Sequence, residues 1–454
     1  MNKLIFYTVL FSFLSLPGIA QETAKKWTLD DCIDYALEQN IQLKKSKISY
    51  EESLVDTKEA KAQLFPSLSF STSHNVVNRP YDQSGTNIVN VGGSGNYATS
   101  GGSNKTNYNG NYGVNASWTL FNGGKRLKTI EQQKLNNQIA ELDIAQNANT
   151  IQESITQVYV QILYAAESVK TNENTLKLSE AQRDRGKELL AVGSIAQSDY
   201  AQLEAQCSTD KYQLVTAQAT LKDYKLQLKQ LLEIEGEEEM NLLIPELDTE
   251  NVLSPLPSKT DVYQSALAFR PEIQSGKLNI EASELAINIA KKGYMPSLSL
   301  NAGIGTNNSS NQDYNFGKQL KYGLSNSVGL TLSIPIYNNR QTKSAVEKAR
   351  LQSSNSELDL LNEQKTLFKT IETLWLDANS AQEQFVAANE KLHSTEISYN
   401  LINEQFNLGM KNTVDLLTEK NNMLAAQQEL LQAKYMAILN RALLRFYQGE
   451  KINL

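Results

Sequence analysis

The chain has 454 residues, of which 40% are hydrophobic, and a formal net charge of −7 that argues against a nucleic-acid-binding protein. Its two cysteines, Cys32 and Cys207, cannot form a disulfide framework, and its two histidines cannot form a His-rich metal site. The nine prolines leave two stretches of more than a hundred residues without the commonest helix breaker, so long helices are allowed.

Residues 1–20 have the features of an export signal. A basic residue precedes an apolar run from Leu4 to Leu16, and small residues at positions −3 and −1 predict cleavage after about Ala20. A membrane anchor is the alternative, but a run this short spans a bilayer poorly. No stretch of 18 apolar residues follows, so we expect any membrane-spanning part to consist of strands.

The rest of the chain contains an internal duplication. A shift of 230 residues aligns 29–70 with 259–300, and a shift of 216 aligns 114–231 with 330–447. Each copy is predicted to form a helix, a strand, a loop, a strand, a very long helix, a tight turn and a last helix.

The predicted elements of the first copy, 21–231, are a helix at 33–63, strands at 64–76 and 108–121, a long helix at 125–191 and a helix at 195–231. Those of the second copy, 263–447, are a helix at 263–293, strands at 296–306 and 322–337, a long helix at 341–407 and a helix at 411–447. An acidic, proline-containing connector, 232–262, joins the copies, and a short tail, 448–454, follows them.

The predicted strands alternate between apolar and polar residues, which is the period of a strand. A soluble sandwich alternates in the same way and remains an alternative on this pattern alone. The polar positions carry small uncharged residues rather than Lys and Glu, which favours the lumen of a membrane barrel. The predicted lumen-facing positions are Ser67, Ser69, Asn115, Ser117, Thr119, Ser297, Ser299, Ser327, Thr331 and Ser333.

Four strands cannot close a barrel. Open strand edges in hydrocarbon leave backbone groups unpaired, and about eight strands is the smallest workable barrel. The chain is therefore predicted to assemble, either as a dimer with eight strands or as a trimer with twelve.

The helices have matching lengths. The long helix from Lys125 to Ala191 would be about 100 Å long, and the two shorter helices of the first copy together contain about the same number of residues. Apolar stripes at spacings of three and four predict coiled-coil packing, and an isolated antiparallel coiled coil is the alternative. On the last helix the predicted stripe runs through Leu417, Asn421, Leu424, Gln428, Leu431, Tyr435, Ile438 and Ala442.

Short motifs occur in both copies at the ends of the predicted elements. The helix-to-strand motifs are Leu64-Phe65-Pro66-Ser67-Leu68 and Tyr294-Met295-Pro296-Ser297-Leu298. The strand-to-helix joints are Phe121-Asn122-Gly123-Gly124 and Tyr337-Asn338-Asn339-Arg340. The hairpin turns are Val192-Gly193, followed by Asp199, and Leu408-Gly409, followed by Asp415.

In this order the motifs resemble the TolC family of outer-membrane efflux and secretion channels, over essentially the whole mature chain. Asn339 and Arg340 depart from the glycine pair of the first joint. The resemblance implies a mainly helical protein with membrane strands, in which three chains form a twelve-stranded barrel continued by a long periplasmic helical barrel. It also implies that the connector lies in a belt around this tunnel.

The resemblance further implies two kinds of functional residue. Periplasmic adaptor proteins would dock on the hairpin tips, Val192, Gly193, Ser194, Leu408, Gly409 and Met410. Inward acidic side chains would close the periplasmic end, with Glu390, Glu396 and Glu404 as candidates. A solvated outer face is the alternative for each carboxylate, and turn formation alone is the alternative for the tips.

No motif for catalysis or for a cofactor is found. The chain has no phosphate-binding Gly-rich loop leading into Lys-Ser/Thr, no Gly-x-Ser-x-Gly and no His-Glu-x-x-His. The resemblance therefore implies a passive exit duct in the outer membrane of a Gram-negative bacterium, and the missing motifs argue against an enzyme. The energy for transport would come from an inner-membrane pump of the RND, ABC or MFS class. The alternative is an exported coiled-coil structural or adhesive protein.

Overall fold

The computed structural model describes residues 26–78, 80–81, 87–89, 97–99, 106–236, 240–245, 252–310 and 312–454. The predicted export signal lies outside the described residues, as does part of the loop between the first two predicted strands. The described chain is mainly helical, with one four-stranded and one two-stranded sheet.

The chain divides into two compact units. The sheet unit contains Lys44–Asn147 and Tyr263–Thr370, and the hairpin unit contains the chain up to Leu43, Ala148–Val262 and Ile371–Leu454. Each unit takes segments from both copies of the duplication, because both long helices begin in the sheet unit and end in the hairpin unit.

The helix predicted at 33–63 is two helices in the structure, α1 Leu29–Gln39 and α2 Ile41–Ala62. Asn40 separates them, because its side-chain oxygen accepts from the backbone N–H of Gln42 at 2.9 Å and so competes with helical bonding. The first helix also starts earlier than predicted, since Thr28 and Asp31 form a capping box.

The helix predicted at 263–293 is interrupted in the same way, giving α5 Lys259–Phe269 and α6 Pro271–Lys291. Pro271 has no N–H and disfavours the helical conformation of the residue before it. Arg270 is accordingly extended, with φ −60° and ψ 130°. A 3₁₀ turn, Lys292–Tyr294, then leads to the sheet.

The strands are β1 Ser67–Asn78, β2 Asn87–Val89, β3 Tyr97–Thr99, β4 Thr106–Asn122, β5 Ser297–Ser309 and β6 Ser325–Ser333. Four of them form an antiparallel sheet in the order β1-β4-β5-β6, and β2 pairs with β3. Within the described sheet, β1 and β6 each have one neighbour, so each leaves one edge of backbone groups unpaired.

Two strand predictions need correction. The strand predicted from 64 begins at Ser67, because the N–H groups of Leu64 and Phe65 close a turn on the preceding helix. The strand predicted at 322–337 is limited to β6. A short helix, α7 Phe316–Tyr322, precedes it, and Pro335 beyond its end cannot donate to a ladder.

Four long helices complete the described chain: α3 Lys125–Ala191, α4 Gln197–Leu231, α8 Gln341–Asn407 and α9 Thr413–Tyr447. The first and third have the bounds predicted from the sequence, at 67 residues each. No helix in the described ranges combines the length and apolarity that a membrane span requires.

The predicted stripe on the last helix is wrong in its first half. Asn421 and Gln428 are exposed, and the buried side chains there are Leu416, Lys420 and Met423. From Leu431 onward the predicted stripe is buried, as are many of its neighbours. The sequence pattern does not reveal the true stripe, because one of its buried residues is Lys420.

The described parts of the connector pack within the hairpin unit. Trp27 donates its N–H to Asn241 O at 2.9 Å and accepts from the N–H of Leu243 at 2.9 Å. The Tyr159 hydroxyl on α3 donates to Leu243 O at 2.6 Å, and burial raises its pKa to about 12. Trp375 on α8 donates to Pro257 O at 3.1 Å. The connector is therefore fixed to both long helices.

Candidate channel surfaces and hairpin tips

The sheet has one polar face, and the register places all ten predicted lumen positions on it. Side chains bond across this face. Ser117 Oγ donates to Asn301 Oδ1 at 3.1 Å, and Asn115 Nδ2 donates to Ser71 Oγ at 3.4 Å. The pairs that define the face are Ser67–Ser117, Ser69–Asn115, Thr119–Ser299, Ser299–Thr331, Ser297–Ser333 and Gly303–Ser327.

The opposite face is apolar and exposed. Val328 is 77% exposed and Leu68 75%, although both lie within the strands. None of the four strands contains Asp, Glu, Lys or Arg. A soluble sheet with one face in water carries charged residues there, so this composition indicates an apolar environment for the exposed face. Its other large members include Phe70, Ile304, Leu330 and Leu332.

The first strand-to-helix joint is fixed by its glycines and by one arginine. Gly123 and Gly124 have φ of +68° and +80°, a region that glycine adopts without steric cost. A Cβ on Gly123 would lie 2.5 Å from Met295 Cβ, so the joint also has no room for a side chain at this position. Arg126 donates to Gln63 O at 2.6 Å and also to Thr119 O, which ties the new helix to the preceding elements.

The second joint keeps this backbone geometry without glycine. Asn339 and Arg340 have φ of +51° and +64°. Asn338 Nδ2 donates to Thr342 Oγ1 in the first turn of α8. The departure noted in the sequence therefore leaves the fold of the joint unchanged.

Both hairpin tips end their long helix in a Schellman motif. At the first tip, Ser194 N–H donates to Leu189 O at 2.8 Å and Gly193 N–H donates to Leu190 O at 3.0 Å. At the second, Met410 N–H donates to Gln405 O at 2.8 Å. Gly193 and Gly409 have φ of +73° and +74°, which explains why glycine stands at both reversals.

The tips expose apolar side chains. Val192 and Leu408 are each 75% exposed, and Met410 is 70% exposed. Residues of both tips line one cavity, including Ser194 and Gly409, so the two tips lie side by side in the hairpin unit. Three of the six predicted tip residues, Ser194, Gly409 and Met410, line this cavity, and the other three adjoin them in the chain.

The returning helices are capped as the sequence suggests. Asn412 Oδ1 accepts from Asp415 N–H at 2.8 Å, and Asp199 Oδ2 accepts from Ala196 N–H at 3.1 Å. Lys411 lies 3.4 Å from the Asp415 carboxylate. The two aspartates are therefore structural.

A small hydrophobic core lies beneath the tips. It contains Leu203 of α4, Tyr399 and Phe406 of α8, and Leu416 and Met423 of α9. Burial raises the pKa of Tyr399 to about 12, so this hydroxyl stays neutral at physiological pH. This core joins the two hairpins to each other.

A buried charged cluster, which the sequence pattern does not reveal, adjoins this core. Lys420 of α9 is completely buried and lies 2.5 Å from Asp210 Oδ2 on α4. Lys420 also donates to Ser179 Oγ on α3, and Ser179 donates to the same carboxylate. Gln206 donates to the other carboxylate oxygen at 2.9 Å. Three helices thus share one ion pair.

The three candidate gate carboxylates do not share one helix face. Glu390 and Glu404 are fourteen residues apart, which brings them back to the same side of α8 at a separation of about 21 Å. Glu396 points about a third of a turn away. Glu390 and Glu404 are exposed and Glu396 is half-buried.

A four-stranded sheet without charges and two pairs of long helices, each pair joined by a tight turn, together define a class of outer-membrane channels. The sequence profile of the outer membrane efflux protein family matches residues 32–233 and 262–450. The chain belongs to this family. The predicted resemblance is therefore confirmed.

Among curated relatives, the outer membrane protein TolC of Escherichia coli (strain K12) is 22% identical over 423 residues, covering 88% of this chain and 78% of that protein. The outer membrane efflux protein BepC of Brucella suis biovar 1 is 23% identical over 292 residues. That match covers 64% of this chain and 61% of BepC, less than two thirds of its length.

Solved structures show the same fold. A crystal structure of CusC has a TM-score of 0.75 at 18% identity and covers 92% of this chain and 91% of that chain. The Campylobacter jejuni CmeC outer membrane channel has a TM-score of 0.73 at 18% identity. The match covers 100% of this chain and 95% of that chain. The fold class predicted from the sequence is confirmed.

Family membership also defines location and general role. The chain is an outer-membrane protein of a Gram-negative bacterium and serves as an exit duct in efflux or secretion. Channels of this family are homotrimers that work with adaptor and pump partners.

Proposed function

We propose that three copies of this chain form one barrel of twelve strands, through which substrates leave the periplasm passively. The observation that carries this proposal is the described sheet itself. It has no charged residue, exposes a large apolar face and leaves one edge of β1 and one edge of β6 unpaired. Joining β6 of each copy to β1 of the next would pair all six open edges in three seams, without exposing backbone groups to lipid.

In this arrangement the polar face lines the lumen and the apolar face contacts lipid. The purified protein, reconstituted into a planar bilayer, is expected to conduct ions without added nucleotide. A folded trimer that inserts into the bilayer and carries no current would contradict the proposal.

The paired hairpin tips are the proposed docking site for a periplasmic adaptor, with a pump of the RND, ABC or MFS class beyond it. Relatives include proteins named for alkaline protease secretion and for cation efflux. The exposed Val192, Leu408 and Met410 support this role, because burying them against a partner removes apolar surface from water, which is favourable.

Replacing Gly409 tests the docking site. We expect Gly409→Arg to assemble into trimers but to lose export, because it places bulk and charge on the apolar tip surface. Gly409→Asn is the matched control, since asparagine tolerates the left-handed backbone and adds no charge. Export is measured in cells that lack the native duct. Equal export by the two variants would show that the tips do not dock a partner.

The gate is proposed to involve Glu390 and Glu404, with Glu396 as a further candidate. Three copies of each side chain would narrow the tunnel, and their carboxylates would bind cations at the constriction and slow their passage. We expect Glu390→Ala with Glu404→Ala to raise single-channel conductance. Glu363→Ala, on the same helix but far from the tips, is the control. Conductance that is unchanged after replacing all three candidates would show that the gate lies elsewhere.

A further inference from the structure

At the second strand-to-helix joint, a residue other than glycine has a left-handed backbone conformation. Arg340 has φ +64°, in the left-handed region that side chains with a Cβ rarely adopt. The aligned residue of the first copy is Gly124, at φ +80°, where an added Cβ would meet no other atom within 4 Å. The first copy forms the joint with glycine at this position, so the turn itself does not require an arginine, and a residue with a Cβ in this conformation can mark a functional site.

Arg340 lies at the rim of a cavity beside the end of β6. Tyr294, Ile336 and Tyr337 form part of the wall, and Lys343 supplies a second cation. The side chains are accessible: Ile336 is 96% exposed and Tyr337 is 82% exposed. The site combines two positive charges with an apolar and aromatic wall.

Packing of the joint does not explain these charges. The first copy forms the corresponding joint with Gly124 and Leu127 at the positions aligned with Arg340 and Lys343. Arg340 contacts Glu347 at 3.1 Å, but this ion pair is exposed, with 62% of the arginine side chain accessible, and such pairs contribute little to stability.

The surroundings are also basic. All four strands meet helical or turn segments at this end of the sheet. In the ten residues adjoining each strand there, Lys and Arg outnumber Asp and Glu by nine to two, whereas the whole chain has 43 basic and 50 acidic residues. The segments are 57–66, 123–132, 287–296 and 334–343.

We propose that the cavity at the second joint binds the phosphate of an anionic phospholipid from the membrane leaflet that faces the helices. This inference rests on the proposed placement of the strands in the membrane. A guanidinium and an ammonium group suit a phosphate, and basic clusters at a membrane surface attract anionic lipids. Aromatic residues favour the interface between headgroups and hydrocarbon, where Tyr294 and Tyr337 would lie.

The test uses the full-length assembled protein in nanodiscs of phosphatidylethanolamine containing a small fraction of phosphatidylglycerol. Native mass spectrometry counts the phosphatidylglycerol molecules that stay bound to the protein after it is released from the nanodiscs. The variants Arg340→Gly and Lys343→Leu install the residues of the first joint. We expect the affinity of the protein for phosphatidylglycerol to fall roughly fivefold for each basic side chain that is removed. Lys348→Gln, an exposed replacement on the same helix outside the cavity, is expected to retain it.

Thermal stability separates binding from folding. Arg340→Gly should be at least as heat-stable as the parent without lipid, because glycine relieves the left-handed residue. Unchanged phosphatidylglycerol retention in both variants, or equal retention of phosphatidylethanolamine by the parent, would overturn the proposal. Equal competition by inorganic phosphate would also overturn it, since the site would then bind free anions.

Conductance of the same protein preparations, reconstituted into planar bilayers, distinguishes this inference from the proposed function. A conducting channel without lipid preference refutes the lipid site alone. A sample that neither assembles nor conducts refutes the proposed function, and the lipid site with it.

Discussion

Replacing Lys420 by methionine is expected to destabilise the hairpin unit by about 3–5 kcal/mol, because it leaves a buried carboxylate without its counter-charge. Asp210 is 4% exposed, and its partner Ser179 is 2% exposed, so water cannot replace the ammonium group without rearrangement of the helices. The effect is measured as a shift of the unfolding transition of the detergent-solubilised protein.

A matched surface pair provides the control. Lys391 lies 2.8 Å from Glu429, and both side chains are about half exposed. Lys391→Met should change stability by about 1 kcal/mol or less. If Lys420→Met and Lys391→Met unfold alike, the buried ion pair does not exist as described.

A double replacement tests whether the cost comes from the unpaired charge. Lys420→Met with Asp210→Leu removes both charges, and apolar replacements of a buried pair are often neutral or stabilising. We expect the double variant to recover most of the stability lost in Lys420→Met. A loss equal to the sum of the two single losses would mean that the residues act independently.

Placing an arginine on the apolar face of the sheet is expected to have the second large effect on assembly. Val328→Arg is expected to cost about 2–4 kcal/mol in each chain, because the residue lies near the middle of β6 and would face lipid at depth. Ser327→Arg, one residue away on the polar face, would face the lumen and should assemble. The readout is the yield of heat-dissociable oligomer in the outer-membrane fraction. The reverse pattern would mean that the two faces have been assigned the wrong way round.

The long helices and the alternating strands could be predicted because their signals are local. The bounds of α3 follow from an uninterrupted stretch without proline that begins after a glycine pair. The faces of β4 follow from a period of two over more than ten residues. Neither prediction depends on knowing what packs against the element.

The missed features depend on contacts distant in the chain or on side-chain bonding. Lys420 has the side chain of a typical surface residue, and its burial is tolerated because it forms an ion pair with Asp210, 210 residues earlier. The same residue concealed the true stripe of α9. The break at Asn40 depends on one side-chain bond to Gln42 that periodicity does not reveal.

The central claim is that one chain supplies only part of a lipid-embedded cylinder and identical copies supply the rest. Native mass spectrometry of the mature protein, extracted from outer membranes in mild detergent, counts the chains directly. Three chains in each particle is the predicted result. A single chain that stays folded in water after the detergent is removed would contradict it.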